Sequence, residues 1–154
     1  CIPKEETTEK TKLIPGTDGH KMSKSRNNLI DIFLPEKKLR KQIMSIVSNS
    51  EALEDSKNPD NCTIFALYSI LANEEAVLTM RANYEKGGYG YGHAKQALYE
   101  LIIEKFKLER ERYNYLMEHK DEIDKALSIG AKKAKVVALK VLNRVRHKVG
   151  YANT

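Results

Sequence analysis

His93-Ala-Lys-Gln-Ala-Leu-Tyr-Glu-Leu-Ile-Ile-Glu-Lys-Phe-Lys-Leu-Glu-Arg-Glu-Arg-Tyr-Asn-Tyr-Leu-Met-Glu-His119 is the stretch whose reading decides the fold class. Leu98, Leu101, Ile102, Phe106, Tyr113 and Leu116 recur at helical spacing, so the segment is predicted as one long helix with an apolar stripe for neighbours to cover. Towards the C-terminus a second helix is predicted from about Asp121 to Val149. Its inward face is Ile123, Leu127, Ala134, Val137, Ala138, Val141 and Val145. Gly130 weakens it by about 1 kcal/mol relative to alanine.

Towards the N-terminus, Gly87-Gly88-Tyr89-Gly90-Tyr91-Gly92 forbids regular helix. Before it, Asn73 followed by Glu74 and Glu75 is a cap with acids behind it, the start of another helix. Cys62 to Ala72 reads as a short apolar helix with Asp60 or Asn61 placed to cap it. A polar connector containing Pro59 runs from Ser50 to Asn61. Pro35 is a first-turn signal for a helix that carries Leu39, Ile43, Ile46 and Val47 on one face and ends near Asn49 and Ser50. Residues 1–34, punctuated by Pro3, Pro15, Gly16 and Gly19, read as loop. With no strand signal and no internal repeat, the expected class is all-α: a helical bundle over 35–154, preceded by an irregular arm.

The bulk composition narrows the function classes. With 41% hydrophobic and 31% charged residues the chain suits a surface-rich soluble domain. A net charge of +6 favours a polyanionic partner. No apolar run approaches the ~20 residues of a membrane span, so no membrane role is expected. Two cysteines, Cys1 and Cys62, exclude a disulfide framework or a four-cysteine metal site and suit a reducing, cytoplasmic setting. The histidines at 20, 93, 119 and 147 lack metal-ligand spacing, so no metal ligand is expected. Cys1 in place of a start methionine suggests an upstream part.

Chemistry concentrates in Gly16-Thr-Asp-Gly-His-Lys21-Met22-Ser23-Lys24-Ser25. Two lysines three apart, interleaved with serines and flanked by glycines, make a flexible cationic loop. Each ammonium offers three donors and a compact charge suited to phosphate. Glycine-hinged loops can close over a polyphosphate and reopen. The spacing is not that of a Walker A loop, and by composition alone a solvated basic turn would look the same.

The letters Lys21-Met22-Ser23-Lys24-Ser25 are the KMSKS signature of class I aminoacyl-tRNA synthetases, and the chain resembles that family. Ile14-Pro15-Gly16-Thr17-Asp18-Gly19, Asn27-Asn28, Phe33-Leu34-Pro35 and Gly90-Tyr91-Gly92-His93-Ala94-Lys95 look like the tryptophanyl-tRNA synthetases in particular. The resemblance implies ATP as substrate with Mg2+, tryptophan, tRNA(Trp), and a two-step reaction through tryptophanyl-adenylate. It gives Lys21 and Lys24 the catalytic role on the phosphates, and Met22, Ser23 and Ser25 a place along the nucleotide. Residues 1–34 would then be the end of a Rossmann catalytic domain and 35–154 the helical domain that meets the anticodon arm. Arg26 departs from the aromatic found there in many relatives. The HIGH motif and the strand–helix alternation of the catalytic fold are absent, so this chain alone is expected to be inactive. The homodimer implied for the whole enzyme forms largely through that missing fold, which leaves a monomer as the expectation here.

From Lys125 to Lys148 six lysines accompany Arg144 and Arg146 without a single acid. A one-sign stripe of this kind suits a nucleic-acid backbone. Lys132, Lys133, Lys135, Lys140, Arg144 and Arg146 are the tRNA-contact candidates. An ordinary solvated face is the plainer alternative. The segment from Gly87 to Lys95 resembles a phosphate-binding turn but is better read as structural, and Tyr113 and Tyr115 as amphipathic cover. Two other functions remain open: a tyrosyl-tRNA synthetase, disfavoured because the chain ends soon after Tyr151, and a noncatalytic basic RNA-binding module.

Overall fold

The structure, a computed structural model, describes residues 13–151. The readings of Cys1 and Pro3 lie outside those residues. The chain divides into two compact units, Cys1–Arg110 and Glu111–Thr154. Among the described residues the secondary structure is helical, with α1 (Glu36–Met44), α2 (Thr63–Leu71), α3 (Glu74–Lys86), α4 (Tyr91–Lys105), α5 (Lys107–Glu118) and α6 (Lys120–Lys148). A 3-10 turn spans Pro59–Asn61, and the only extended pairing among the described residues is an isolated bridge between Pro15 and Lys21. None of the described helices is long and apolar enough to cross a membrane.

In the first unit α1 and α2 both pack on α4, and α3 lies against α2. Leu39 and Ile43 from α1 meet Leu98 and Ile102 from α4 in the buried core. Each such side chain contributes about 1.5–3 kcal/mol through the water it leaves. Tyr84 of α3 is the aromatic centre at 0% exposure, with ring centroids 5.9 Å from Phe65, 5.8 Å from Tyr89 and 6.0 Å from Tyr91. Its hydroxyl meets Cys62 Sγ at 3.5 Å, and burial pushes the phenol well above its usual range.

Cations from α4 and α5 satisfy carbonyls at the ends of α1 and α2 and in the loop before α1. Lys95 donates to the Met44 carbonyl at the end of α1 (3.1 Å), and Lys105 to the Leu71 carbonyl at the end of α2 (2.6 Å). Arg110 donates to the carbonyls of Ile32 and Leu34. Lys57 is buried at 3% exposure and gives its ammonium to the carbonyls of Ala52 (2.8 Å), Leu53 (3.1 Å) and Asp55 (2.8 Å), closing the loop before α2 around itself.

Several expected boundaries move. The first helix stops at Met44 instead of near Asn49, because Ser45 Oγ takes the Gln42 carbonyl (2.8 Å) and the Val47 N–H is diverted to the Thr17 carbonyl (2.8 Å). Ile46 is buried as expected, but Val47 is 58% exposed. Neither Asp60 nor Asn61 caps α2. Cys62 stands at its N-cap without a side-chain bond, while Asp60 turns to Arg81 (2.6 Å). Asn73 does cap α3, its Oδ1 accepting from Ala76 N–H at 2.9 Å. The helix predicted from 93 to 119 starts at Tyr91 and is two helices, broken at Phe106 (φ −103°, ψ 20°). Phe106 stays packed against the core while Arg110, one turn on, reaches back to Ile32 and Leu34.

The second unit contains most of α5 and all of α6, joined at His119. Tyr115 stacks on His119 at 4.2 Å with Arg112 over its ring at 5.0 Å, and its hydroxyl donates to Glu122. That carboxylate partner raises the phenol's pKa. The last helix matches its predicted span to within a residue and runs through Gly130. The expected burial of its Leu127, Val137, Val141 and Val145 face is not observed, since no residue of α6 is buried. So short a unit holds too little apolar surface to enclose a helix of 29 residues. The packed bundle is confined to α1–α4.

Candidate functional site

The lysine-rich loop is a closed turn built on two strand-like arms. Met22 N–H donates to the Ile14 carbonyl (2.9 Å), Gly16 N–H to the His20 carbonyl (2.7 Å) and Gly19 N–H to the Gly16 carbonyl (3.1 Å). Gly19 has φ +79°, a conformation that L side chains adopt only with strain. Val47 beyond α1 donates to Thr17 (2.8 Å). Gln42 of α1 holds the far side, accepting from Asp31 N–H (3.0 Å) and donating to the Leu29 carbonyl. The turn is therefore pinned to α1 on both flanks.

At its heart lies Asn28, 1% exposed. Its Oδ1 accepts from Ser23 N–H (2.8 Å), and its Nδ2 donates to Asp18 Oδ1 (2.6 Å) and the Lys21 carbonyl (3.2 Å). Asp18 Oδ1 also accepts from His20 N–H at 3.0 Å. The Asn28 amide beside it holds the Asp18 carboxyl below the usual aspartate range, His20 adding to the effect. Gly16 is required here, since a Cβ at that position would run into the Asn28 amide.

Lys21 and Lys24 project from this turn as exposed residues, and neither ammonium has a hydrogen-bond or ion-pair partner among the described residues. Ser23 and Ser25 pair their hydroxyls at 2.8 Å. Met22 is half-buried and lines an apolar cleft of about 140 Å³ with Ile14, Ile30, Ile32, Leu67 and Phe106 among others. The site thus offers two exposed ammonium groups, hydroxyls between them, and an apolar footing. That is a donor set suited to the oxygens of a polyphosphate. The sequence displays the lysines openly. The role of Asn28 is hidden, because no local pattern announces that an asparagine three residues past the serines will be buried and fully bonded.

On α6 the six tRNA-contact candidates are all exposed. At ~100° per residue, Lys133, Lys140 and Arg144 fall on one flank of the helix and Lys132, Lys135 and Arg146 on another. Lys125 is engaged by Asp121 at 2.9 Å.

The glycine-rich segment before α4 behaves as a packed turn. Gly87 (φ +79°) passes so close to Glu54 that a Cβ would meet its carbonyl oxygen, and Gly88 N–H donates to the Leu53 carbonyl (3.0 Å). Tyr91 donates to Glu51 at 2.8 Å. Among the described residues, no three His, Cys, Asp or Glu side chains are grouped to hold a metal ion.

Comparison with known proteins bears on these features together. Residues 2–107 match the family described as tRNA synthetases class I (W and Y). The tryptophan–tRNA ligase of Campylobacter jejuni (strain RM1221) is 44% identical over 149 residues, covering 97% of this chain and 47% of that protein. The tryptophan–tRNA ligase of Rhodopirellula baltica is 42% identical over the same length. The crystal structure of tryptophanyl-tRNA synthetase from Campylobacter jejuni complexed with ADP and tryptophane superposes with a TM-score of 0.87 at 45% identity, covering 93% of this chain and 45% of that one. The chain spans about half the length of the curated relatives it matches.

Proposed function

Because the chain belongs to the class I tRNA synthetases of the tryptophan and tyrosine group, we propose that it is the C-terminal part of a tryptophan–tRNA ligase. Residues 1–34 complete the catalytic domain and 35–154 form the tRNA-binding domain. The full-length enzyme activates tryptophan with ATP and transfers it to tRNA(Trp). The observation that carries the reading is the pair of exposed ammonium groups, Lys21 and Lys24, which have no partner among the described residues on an otherwise internally bonded turn.

When tryptophan's carboxylate attacks the α-phosphate, negative charge builds on that phosphate and on the departing pyrophosphate. Ammonium groups that meet those oxygens mainly in the transition state raise the rate instead of tightening ATP binding alone. Lys21 and Lys24 take that role, with Met22, Ser23 and Ser25 along the nucleotide. Mg2+ enters with ATP, its ligands being phosphate oxygens and water. Lys132, Lys133, Lys135, Lys140, Arg144 and Arg146 supply contacts to the tRNA backbone. A homodimer formed through the catalytic half, a monomeric and inactive isolated chain, and a cytoplasmic setting with Cys62 reduced belong to the same proposal.

The test joins this chain to a catalytic half and measures single-turnover adenylate formation. Lys24→Ala lowers the rate about 10²- to 10³-fold, the loss typical of one preorganised donor. A rate near that of the parent removes Lys24 from the mechanism. Pyrophosphate exchange driven by tyrosine and not by tryptophan would move the assignment to the other branch of the family.

A further inference from the structure

Lys21 and Lys24, without a partner among the described residues, can serve a transition state only if the turn beneath them returns to one geometry in every cycle. Asn28 is placed to enforce that. Its side chain joins Asp18 on the entering arm to Lys21 and Ser23 on the leaving arm (2.6, 3.2 and 2.8 Å), and its carbonyl accepts from Thr17 N–H at 2.9 Å. Asp18 doubles the tie by accepting from His20 N–H at 3.0 Å. Among the described residues no other side chain bonds to both arms of the turn.

The arc beyond the tie is held differently. From Lys24 to Asn27 the backbone keeps one internal bond, Asn27 N–H to the Lys24 carbonyl at 3.1 Å, and all four residues are exposed. Asn27 stands at φ +55°, in the left-handed region uncommon for a side chain other than glycine. We propose that Asn28, oriented by Asp18, is the positioning residue of the lysine turn. It fixes the Lys21–Ser23 arm and leaves the Lys24–Asn27 arc outside the lock. This deepens the reading of the turn as an ATP-phosphate loop and rests on it.

The roles within the lock are chemically distinct, which makes it testable by exchange. Asn28 must both accept from Ser23 and donate to Asp18, and an aspartate there keeps the first bond and loses the second, along with the donation to the Lys21 carbonyl. Asn28→Asp faces Asp18 with a second carboxylate, while Asp18→Asn beside it restores a donor–acceptor pair in the reverse sense. In the full-length enzyme, Asn28→Asp is expected to lower kcat of ATP–pyrophosphate exchange about 10- to 100-fold, the scale of a misplacement near 1 Å. The KM for tryptophan should stay at the parent value, since the turn carries no amino-acid contact in this reading. The double variant should recover at least about half of the lost logarithmic rate.

An Asn28→Asp enzyme exchanging at the parent rate, beside a Lys24→Ala enzyme that has collapsed, overturns the lock while sparing the lysines. Failure of both variants to slow exchange overturns the phosphate-loop reading itself. Should Asn28→Asp not fold, Asp18→Ala alone carries the test, because it removes the oxygen that accepts from both Asn28 and His20 at a site partly open to solvent. It must then lower kcat without changing the KM for tryptophan, and an unchanged kcat refutes the proposal.

Discussion

Removing charge from one flank of α6 at a time tests whether this helix docks on RNA by a face. Lys133, Lys140 and Arg144 share a flank and are spread over about 16 Å at 1.5 Å per residue. That is the length of roughly five phosphates of one strand, so all three can be engaged at once. Each phosphate contact adds about 0.7–0.9 to the slope of log affinity against log salt, so losing three lowers the slope by about 2–3. Between 50 and 200 mM salt, affinity would then fall about 20- to 40-fold less steeply than for the parent. These side chains are exposed, so Lys133→Gln, Lys140→Gln and Arg144→Gln together should leave the fold intact. The matching triple on the other flank, Lys132→Gln, Lys135→Gln and Arg146→Gln, is the internal comparison. Filter-binding or anisotropy titrations with tRNA(Trp) over a salt series should give one triple the full slope change and the other less than one unit. Equal losses from the two flanks refute docking by a single face, and no loss from either returns the helix to an ordinary solvated surface.

Tyr84→Ala should destabilise the protein by about 3–5 kcal/mol, since it opens a cavity under Phe65, Tyr89 and Tyr91. Tyr84→Phe keeps the ring and gives up only the bond to Cys62, so its loss in a urea melt should stay within about 1.5 kcal/mol, and similar losses for the two variants would refute the aromatic centre. The Asp18 carboxyl has a lowered pKa in the folded turn, so its stabilising contribution is present above the ordinary aspartate value of about 3.9. It is lost as the pH falls through the lower folded value. The Asn28 side-chain amide resonances should report that step in an NMR titration, and Asp18→Asn should abolish it.

Features that are chemically local were legible in the sequence. The Asn73 cap needs only an amide oxygen one turn before the N–H groups it serves, and the lysine turn shows its donors in the sequence while their phosphate role follows only from the family resemblance. What escaped depends on contacts made across the chain. Ser45 ends α1 early, and Val47 then bonds to Thr17, thirty residues upstream. Helical periodicity continues through Phe106, yet Arg110 reaches carbonyls near residue 33, where no local pattern points to it. The burial of Asn28 follows from the closing of a turn whose other arm begins at Ile14. Periodicity marks the α6 stripe as apolar and says nothing of whether another element covers it.

The loop closed by Lys57 differs in kind from the turn closed by Asn28. An ammonium nitrogen has three hydrogens, and the loop brings three oxygens to them, every one a main-chain carbonyl. Main-chain oxygens are the same for every amino acid, so those three bonds place no demand on the residue types at 52, 53 and 55. Position 57 has no such latitude. Acetylation would leave its nitrogen with one hydrogen for three oxygens, and arginine would bring a broad planar fork to a socket shaped for a point. The closing of the six residues from Ala52 to Lys57 thus draws on the valence of a single atom.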